Sequence, residues 1–383
     1  MIDTMVLTIP IKKGMIRRPE WFKPPLNIYK TTPARICEAF IKATQNPSLK
    51  DLRNGIYKPR LTFMGRPSFK RRYDKEYVLR IEFSAPKLLY GNNFDELEDS
   101  DFPKVIAALE AKLKLMEVYI STKELMDATV SAIHYSKNII MTDGTTVTMI
   151  LDELGKVDLN GHLDLAKTDF RTGHAIRYHA DSFEVVFYDK IEELRKAKIS
   201  SKRPLEKDSP IQLNLFEPLQ NAHLEVLRME VRLGKKRKIE QILKKIGSQV
   251  TPTFKNLFSK DISQKVLLSY WNEIDQNIFY RPNIGKRAVD LANAVKQMNQ
   301  HIGLDKTLKM VGLLMLIEEL GLPQCRSYFG LVGNKASQWY RLKKELKAFS
   351  ASQSSLSYTS LTHIPNALSA FQATKLANYN IKI

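Results

Sequence analysis

Ser182-Phe183-Glu184-Val185-Val186-Phe187-Tyr188-Asp189-Lys190 alternates, with Phe183, Val185 and Phe187 on one side and Glu184, Val186 and Tyr188 on the other. Period-two spacing of aromatic and β-branched residues predicts a half-buried strand. If the extended chain persists to Lys190, Tyr188 and Lys190 share a face. An ammonium beside a phenol favours the phenolate and can hold a phosphate against that oxygen. The same spacing also fits a sheet-margin tyrosine with a solvated neighbour, so the rest of the chain has to decide between the two.

Downstream, Leu227-Arg228-Met229-Glu230-Val231-Arg232-Leu233 alternates strictly, with Arg228, Glu230 and Arg232 facing one way. Three charges on so apolar a strand fit a phosphate-facing surface better than a solvated one. Between the two strands, Ser201 to Pro218 is polar and rich in Pro and Ser, and reads as a loop. Upstream, Val130–Tyr135 and Gly161–Lys167 read as further strands of the same half. Residues 1–100 are β-rich in their turn, with strands at Met5–Ile9 and Tyr77–Phe83. Between those two, Arg53 to Lys75 carries eight basic residues, Arg71 and Arg72 among them, interleaved with Tyr57, Phe63, Phe69 and Tyr73. Such a mixture suits a phosphate backbone with stacked bases, and suits a solvated hairpin equally. A helix is predicted over 101–125, with Asp101 as cap, Pro103 in its first turn and an apolar stripe through Leu109 and Leu113.

From about 253 onward the pattern is helical. Leu308–Leu320 is apolar and stopped by Gly321 and Pro323. After a short segment Pro323–Phe329, Asn334 opens a basic helix, Lys335–Phe349, with Arg341, Lys343 and Lys344. The order resembles a helix-turn-helix. The tail beyond Ser350 is rich in Ser, Thr and Asn and is expected to be loosely ordered. No internal repeat is strong enough to use. The expected fold class is α+β, an antiparallel sheet built from two β-rich halves with a helical C-terminal region. The expected boundaries are 1–125, 126–250, 251–349 and a tail of 350–383.

The 383 residues carry 60 Lys and Arg against 41 Asp and Glu, a formal charge of +19, which points to a polyanionic partner. No apolar run is long enough to span a bilayer, and the opening residues form an alternating strand instead of a secretory signal, so a cytoplasmic protein without membrane contact is expected. Cys37 and Cys325 lie far apart and make no metal-type cluster. The absence of a P-loop or dinucleotide turn speaks against a nucleotide-driven motor.

A tyrosine that cuts a phosphodiester needs charge neutralisation and help for the departing 3′-oxygen, which a divalent metal supplies. Oxygen ligands suit Mg²⁺ or Mn²⁺. The strand-borne acids able to converge on Tyr188 are Asp164 and Glu230, and His162 shares a face with Asp164. Glu82 and Glu193 rank lower, and Asp169 reads as a loop or cap residue.

Several motifs, in order, resemble the replication initiation endonucleases of filamentous phages, the gene II protein type, and their rolling-circle plasmid relatives. They are Met1-Ile2-Asp3 with Val6-Leu7 and Pro10, Ser84 with Pro86-Lys87 and Gly91-Asn92-Asn93, Leu163-Asp164, Tyr188-x-Lys190 with Glu193-Leu194, and Arg228-x-Glu230-x-Arg232. Met229 and His162 depart from the pattern, standing where an aromatic residue and an arginine are expected. The resemblance implies nicking and rejoining of one strand of a supercoiled origin through a 5′-phosphotyrosine. Tyr188 would be the nucleophile, aided by Lys190. Asp164 and Glu230, with His162, would hold the metal. Arg228 and Arg232, with Lys190, would steady the phosphate. Apart from the resemblance, Lys87 and the basic residues Arg71, Arg72, Arg341 and Lys343 are expected to contact DNA. Displaced single-stranded DNA, a host helicase and a host polymerase would be further partners, in a bacterial host cytoplasm. The rivals are a non-enzymatic origin-binding or repressor protein and a metal-free tyrosine recombinase.

Overall fold

The alternating stretches fold as strands of one sheet. The computed structural model describes residues 1–26, 42–48, 50–51, 54–67, 75–157, 168–169, 175–195, 224–275, 288–298, 301–330, 336–352 and 360–379. Nine strands pair in the order β2-β3-β4-β1-β5-β9-β8-β7-β6. They are β1 (Ile2–Pro10), β2 (Lys42–Gln45), β3 (Arg60–Pro67), β4 (Lys75–Ser84), β5 (Thr129–Met141), β6 (Thr168–Asp169), β7 (Ala175–Ala180), β8 (Phe183–Asp189) and β9 (Glu225–Leu233). Every pairing is antiparallel. Outward from the β1–β5 seam the order runs alike on both sides. The opening strand of each side pairs with its closing strand (β1 with β4, β5 with β9), and earlier strands follow towards the edges.

Alternation makes the sheet two-faced. Met5, Leu7, Ile81, Phe83, Ile133, Tyr135, Val185, Phe187, Met229 and Val231 are buried on one face, so Met229 fills a core position. That face is covered by helices, among them α8 (Lys260–Asp275), whose Tyr270 and Trp271 rings lie 5.1 and 6.3 Å from those of Phe183 and Phe187. On the other face the register brings charged and polar residues together. Asn138, Arg228 and Tyr188 lie in one row, Ser136, Glu230 and Val186 in the next, and His134, Arg232 and Glu184 in a third.

Local chemistry sets the element ends. The helix expected over 101–125 is two helices, α2 (Phe102–Leu115) and α3 (Thr122–Met126). The chain turns between them at Glu117, whose φ is 57°, and Ser121 opens the second with a capping box to Glu124. After β4, α1 (Ala85–Tyr90) ends at Gly91, whose φ of 73° is the left-handed cap that glycine adopts without strain. Asn92 then folds back, and its Oδ1 accepts the backbone N–H of Phe94 and of Asp95, both at 2.9 Å. The C-terminal helices form as expected, over Leu304–Leu320, Leu322–Tyr328 and Ala336–Ser352. Leu314, Leu322, Cys325 and Trp339 share a hydrophobic cluster of their own.

The tail departs from expectation. Within 350–383, Leu361, Ile364, Leu368 and Phe371 are buried in the main core, and a helix spans His363–Ala370. Apolar residues three to four apart were enough to anchor a segment whose overall composition is polar.

Candidate active site on the polar sheet face

The Tyr188 side chain emerges beside β9, and its hydroxyl donates to Glu230 Oε2 at 3.3 Å. Glu230 is buried and has three further contacts. His134 Nδ1 lies 3.1 Å from Oε1, and Arg232 bonds both carboxylate oxygens, Nε to Oε1 at 3.1 Å and a terminal nitrogen to Oε2 at 3.2 Å. Burial alone would raise the Glu230 pKa. The charge of Arg232 and the hydrogen bond and charge of His134 hold it well below the usual carboxylate range, so the acid is ionised. Tyr188 moves the other way. Burial, then the negative charges of Glu193 and Glu230, push its phenol well above the ordinary value, so it is protonated at neutral pH.

Asp3 reaches this group through a β-bulge. Ile2 pairs with Tyr135 and Thr4 with His134, so Asp3 is an extra residue in β1, and its carboxylate is aimed onto the polar face. Asp3, His134 and Glu230 each offer a ligand atom within 4.8 Å of the others. Two carboxylates and an imidazole form a donor set able to hold a divalent cation.

Arg228 is 1% exposed and committed to protein. One terminal nitrogen bonds Asp3 Oδ1 and Ser136 Oγ at 2.8 Å each. The other bonds the Asn93 carbonyl at 2.6 Å and Asn138 Oδ1 at 3.2 Å. It ties β1, β5, β9 and the 91–96 turn together and is a post of the site. The expectation that it grips phosphate does not suit a side chain so enclosed.

Lys190 also needs a correction. The strand ends at Asp189, whose Oδ1 accepts the Glu192 N–H at 2.9 Å and opens helix α5 (Lys190–Arg195), so Lys190 does not continue the extended face. Its ammonium is fully buried 5.8 Å from the Tyr188 ring centroid, bonded to Glu193 at 2.7 Å and Asn93 Oδ1 at 3.0 Å. Burial lowers its pKa against the pull of Glu193. Glu193 itself is held below the ordinary value because Lys190 outweighs its own burial.

The family profile described as the N-terminal part of the replication-associated gene II protein matches residues 1–253. The chain belongs to this family of phage replication initiators. No curated protein and no solved structure matches it. Origin DNA is the partner that membership in the gene II protein family implies, and among the described residues no helix is long and apolar enough to cross a membrane.

Of the residues singled out in this phage-initiator sequence, Tyr188, Lys190, Glu230, Arg228 and Arg232 converge. Lys87 is buried and lies close enough to lower the Glu193 pKa electrostatically. Glu193 serves Lys190, and Glu82 lies on β4, away from the cluster. Arg341 and Lys343 lie on the Ala336–Ser352 helix, Arg341 exposed, and join no part of this cluster. Asp164, His162, Arg71 and Arg72 lie outside the described residues, as does the side chain of Asp169. Sequence reasoning missed the site's use of His134 and the roles of Asn93 and Asp3. The available signal was a polar series, His134, Ser136 and Asn138, at period two.

Proposed function

We propose that this chain nicks and rejoins one DNA strand at a replication origin, with Tyr188 as nucleophile, on an endonuclease core of the rolling-circle type. The observation that carries the reading is the Tyr188 hydroxyl pointed at an ionised Glu230, beside Asp3 and His134. The bond from the Tyr188 oxygen to phosphorus forms as the bond from phosphorus to the 3′-oxygen breaks. The phenolic proton passes to Glu230, and the departing oxygen takes a proton from solvent. Joining is the reverse, with a free 3′-hydroxyl attacking the phosphotyrosine. Asp3, His134 and Glu230 would hold Mg²⁺ or Mn²⁺, which would supply charge neutralisation at the phosphate. Asp164 and His162 keep their place in the proposal as ligands the family motif implies. Arg228 and Lys190 keep the reacting groups in place, and Arg232, partly exposed, is the residue suited to meet the phosphate.

The test uses supercoiled plasmid carrying the replicon's own intergenic region with Mg²⁺. Wild type is expected to give open circles with protein attached to the 5′ end. Tyr188→Phe should bind the plasmid with unchanged affinity and form no adduct. Nicking by the Phe variant, or nicking that persists in EDTA, would sink the reading.

A further inference from the structure

The sheet contains the site's framework twice. Leu79-Arg80-Ile81-Glu82 on β4 matches Leu227-Arg228-Met229-Glu230 on β9, a likeness with little weight in sequence. The strand order adds that weight, since β4 stands to β1 and β3 as β9 stands to β5 and β8. The registers agree as well. Arg228 pairs inward with Asn138 and outward with Tyr188, and Arg80 pairs inward with Thr8 and outward with Thr62. Glu230 is flanked by Ser136 and Val186, and Glu82 by Val6 and Arg60. Pairing from β4 through β1 to β5 places both groups on the same polar face.

The first-half copy lacks the site's chemistry and carries its charge differently, with Ser84 in the place of Arg232 and Arg60 in the place of Val186. Thr62 stands in the place of Tyr188. Among the described residues, the group able to ligate a metal is Asp3, His134 and Glu230, none of it here. Arg228 is held by four protein groups. Neither Arg80 nor Arg60 has a hydrogen-bond or ion-pair partner among the described residues, and both are half-buried. Arg60 pairs with Glu82, two residues along β4 from Arg80, so the two guanidinium side chains are diagonal neighbours on this face. Two arginines against Glu82 leave one net positive charge, and the donors suit an oxyanion.

We propose that Arg60 and Arg80 form a second phosphodiester site that holds the DNA backbone without cutting it. This rests on the reading of the Tyr188 site as DNA-cleaving, and it extends that site's footprint across the sheet, so the strand is gripped at a distance from the nick.

Full-length Arg60→Ala and Arg80→Ala are compared with wild type. The binding probe is a fluorescein-labelled, mixed-sequence single-stranded oligonucleotide, titrated at several salt concentrations. Each substitution is expected to weaken binding about three- to tenfold and to reduce the salt slope by about 0.7, one phosphate contact on a single strand. Nicking of the intergenic plasmid at saturating protein should stay within about twofold of wild type. Unchanged affinity and slope in both variants would overturn the site. So would a fall in saturated nicking matching that of Glu230→Gln, because it would place these arginines in the cutting machinery. Arg80→Gln, which keeps the stem, decides the matter should an alanine variant misfold. If wild type binds with the expected slope and does not nick, the cleavage reading fails and the binding result is still read.

Discussion

Glu230 carries four side chains on one carboxylate: Tyr188, His134 and Arg232 bond it directly, and Arg228 lowers its pKa through space. Removing its charge while keeping its shape should show whether the acid does more than pack. Glu230→Gln is expected to slow nicking by about 10² or more, the usual scale for a lost proton acceptor. It should also weaken Mn²⁺ binding in a spectroscopic titration, and wild-type nicking by the glutamine variant would exclude the acid from the chemistry. At this scale the sequence exposed Tyr188 and Glu230 because each sits at the expected parity of a strongly alternating strand. Asp3 was visible only as part of an opening motif, because the bulge that re-aims it leaves no trace in hydropathy. Arg228 and Arg232 looked equivalent on paper. Their difference arises from Asp3, Ser136, Asn138 and the Asn93 carbonyl, which close around one and leave the other partly open.

The turn after α1 is the element that joins the family's Ser-x-Pro-Lys…Gly-x-Asn segment to the site. Gly91 sets its direction, and Asn93 then bonds Lys190 with its side chain and Arg228 with its carbonyl. A Cβ at residue 91 would meet nothing within 4 Å, so alanine there has only the left-handed backbone to contend with. Gly91→Ala should destabilise by about 1 kcal/mol, a melting shift of about 2 °C. It should lower the nicking rate by more than it lowers DNA affinity, because the misdirected turn carries Asn93. A rate change no larger than the affinity change would separate the turn from the site. The elements were legible wherever alternation or capping residues marked them. The break after Leu115 and the helix start at Lys190 were not, since each depends on one local feature, a positive φ at Glu117 and the Asp189 cap.

Over the whole molecule the buried acids set the response to pH. Glu96, Glu193 and Glu230 all have folded pKa values below their ordinary ones. Their contribution is complete above the unfolded glutamate value of about 4.3 and is lost as pH falls through the folded values. Asp189, raised by burial, acts in the opposite sense and is outnumbered. Melting temperature is expected to drop steeply below about pH 4. A melting temperature unchanged at pH 3 would contradict the ion pairing described. The duplicated framework was hidden in sequence because four residues, Leu-Arg-x-Glu, are too short to stand out until topology aligns their neighbours.

One set of contacts joins residues as far as 278 apart along the chain. Thr374 N–H and Lys137 both bond Glu96, at 3.0 and 2.5 Å, and Lys137 bonds the Gln372 carbonyl at 2.7 Å. Leu376 packs with Phe94, Ile191 and Val226, directly behind the segments that bear Asn93, Lys190 and Arg228. Leu376→Ala should cost about 2–5 kcal/mol and loosen the 91–96 turn, read as faster amide hydrogen exchange there. Exchange unchanged at that turn would show that the segment is not its support. Leu376 follows Asp3 by some 370 residues along the chain. If the chain nicks DNA as proposed, a copy cut short before this segment would carry Asp3, Tyr188 and Glu230 and lack the brace behind them, which would spare the template from unfinished copies.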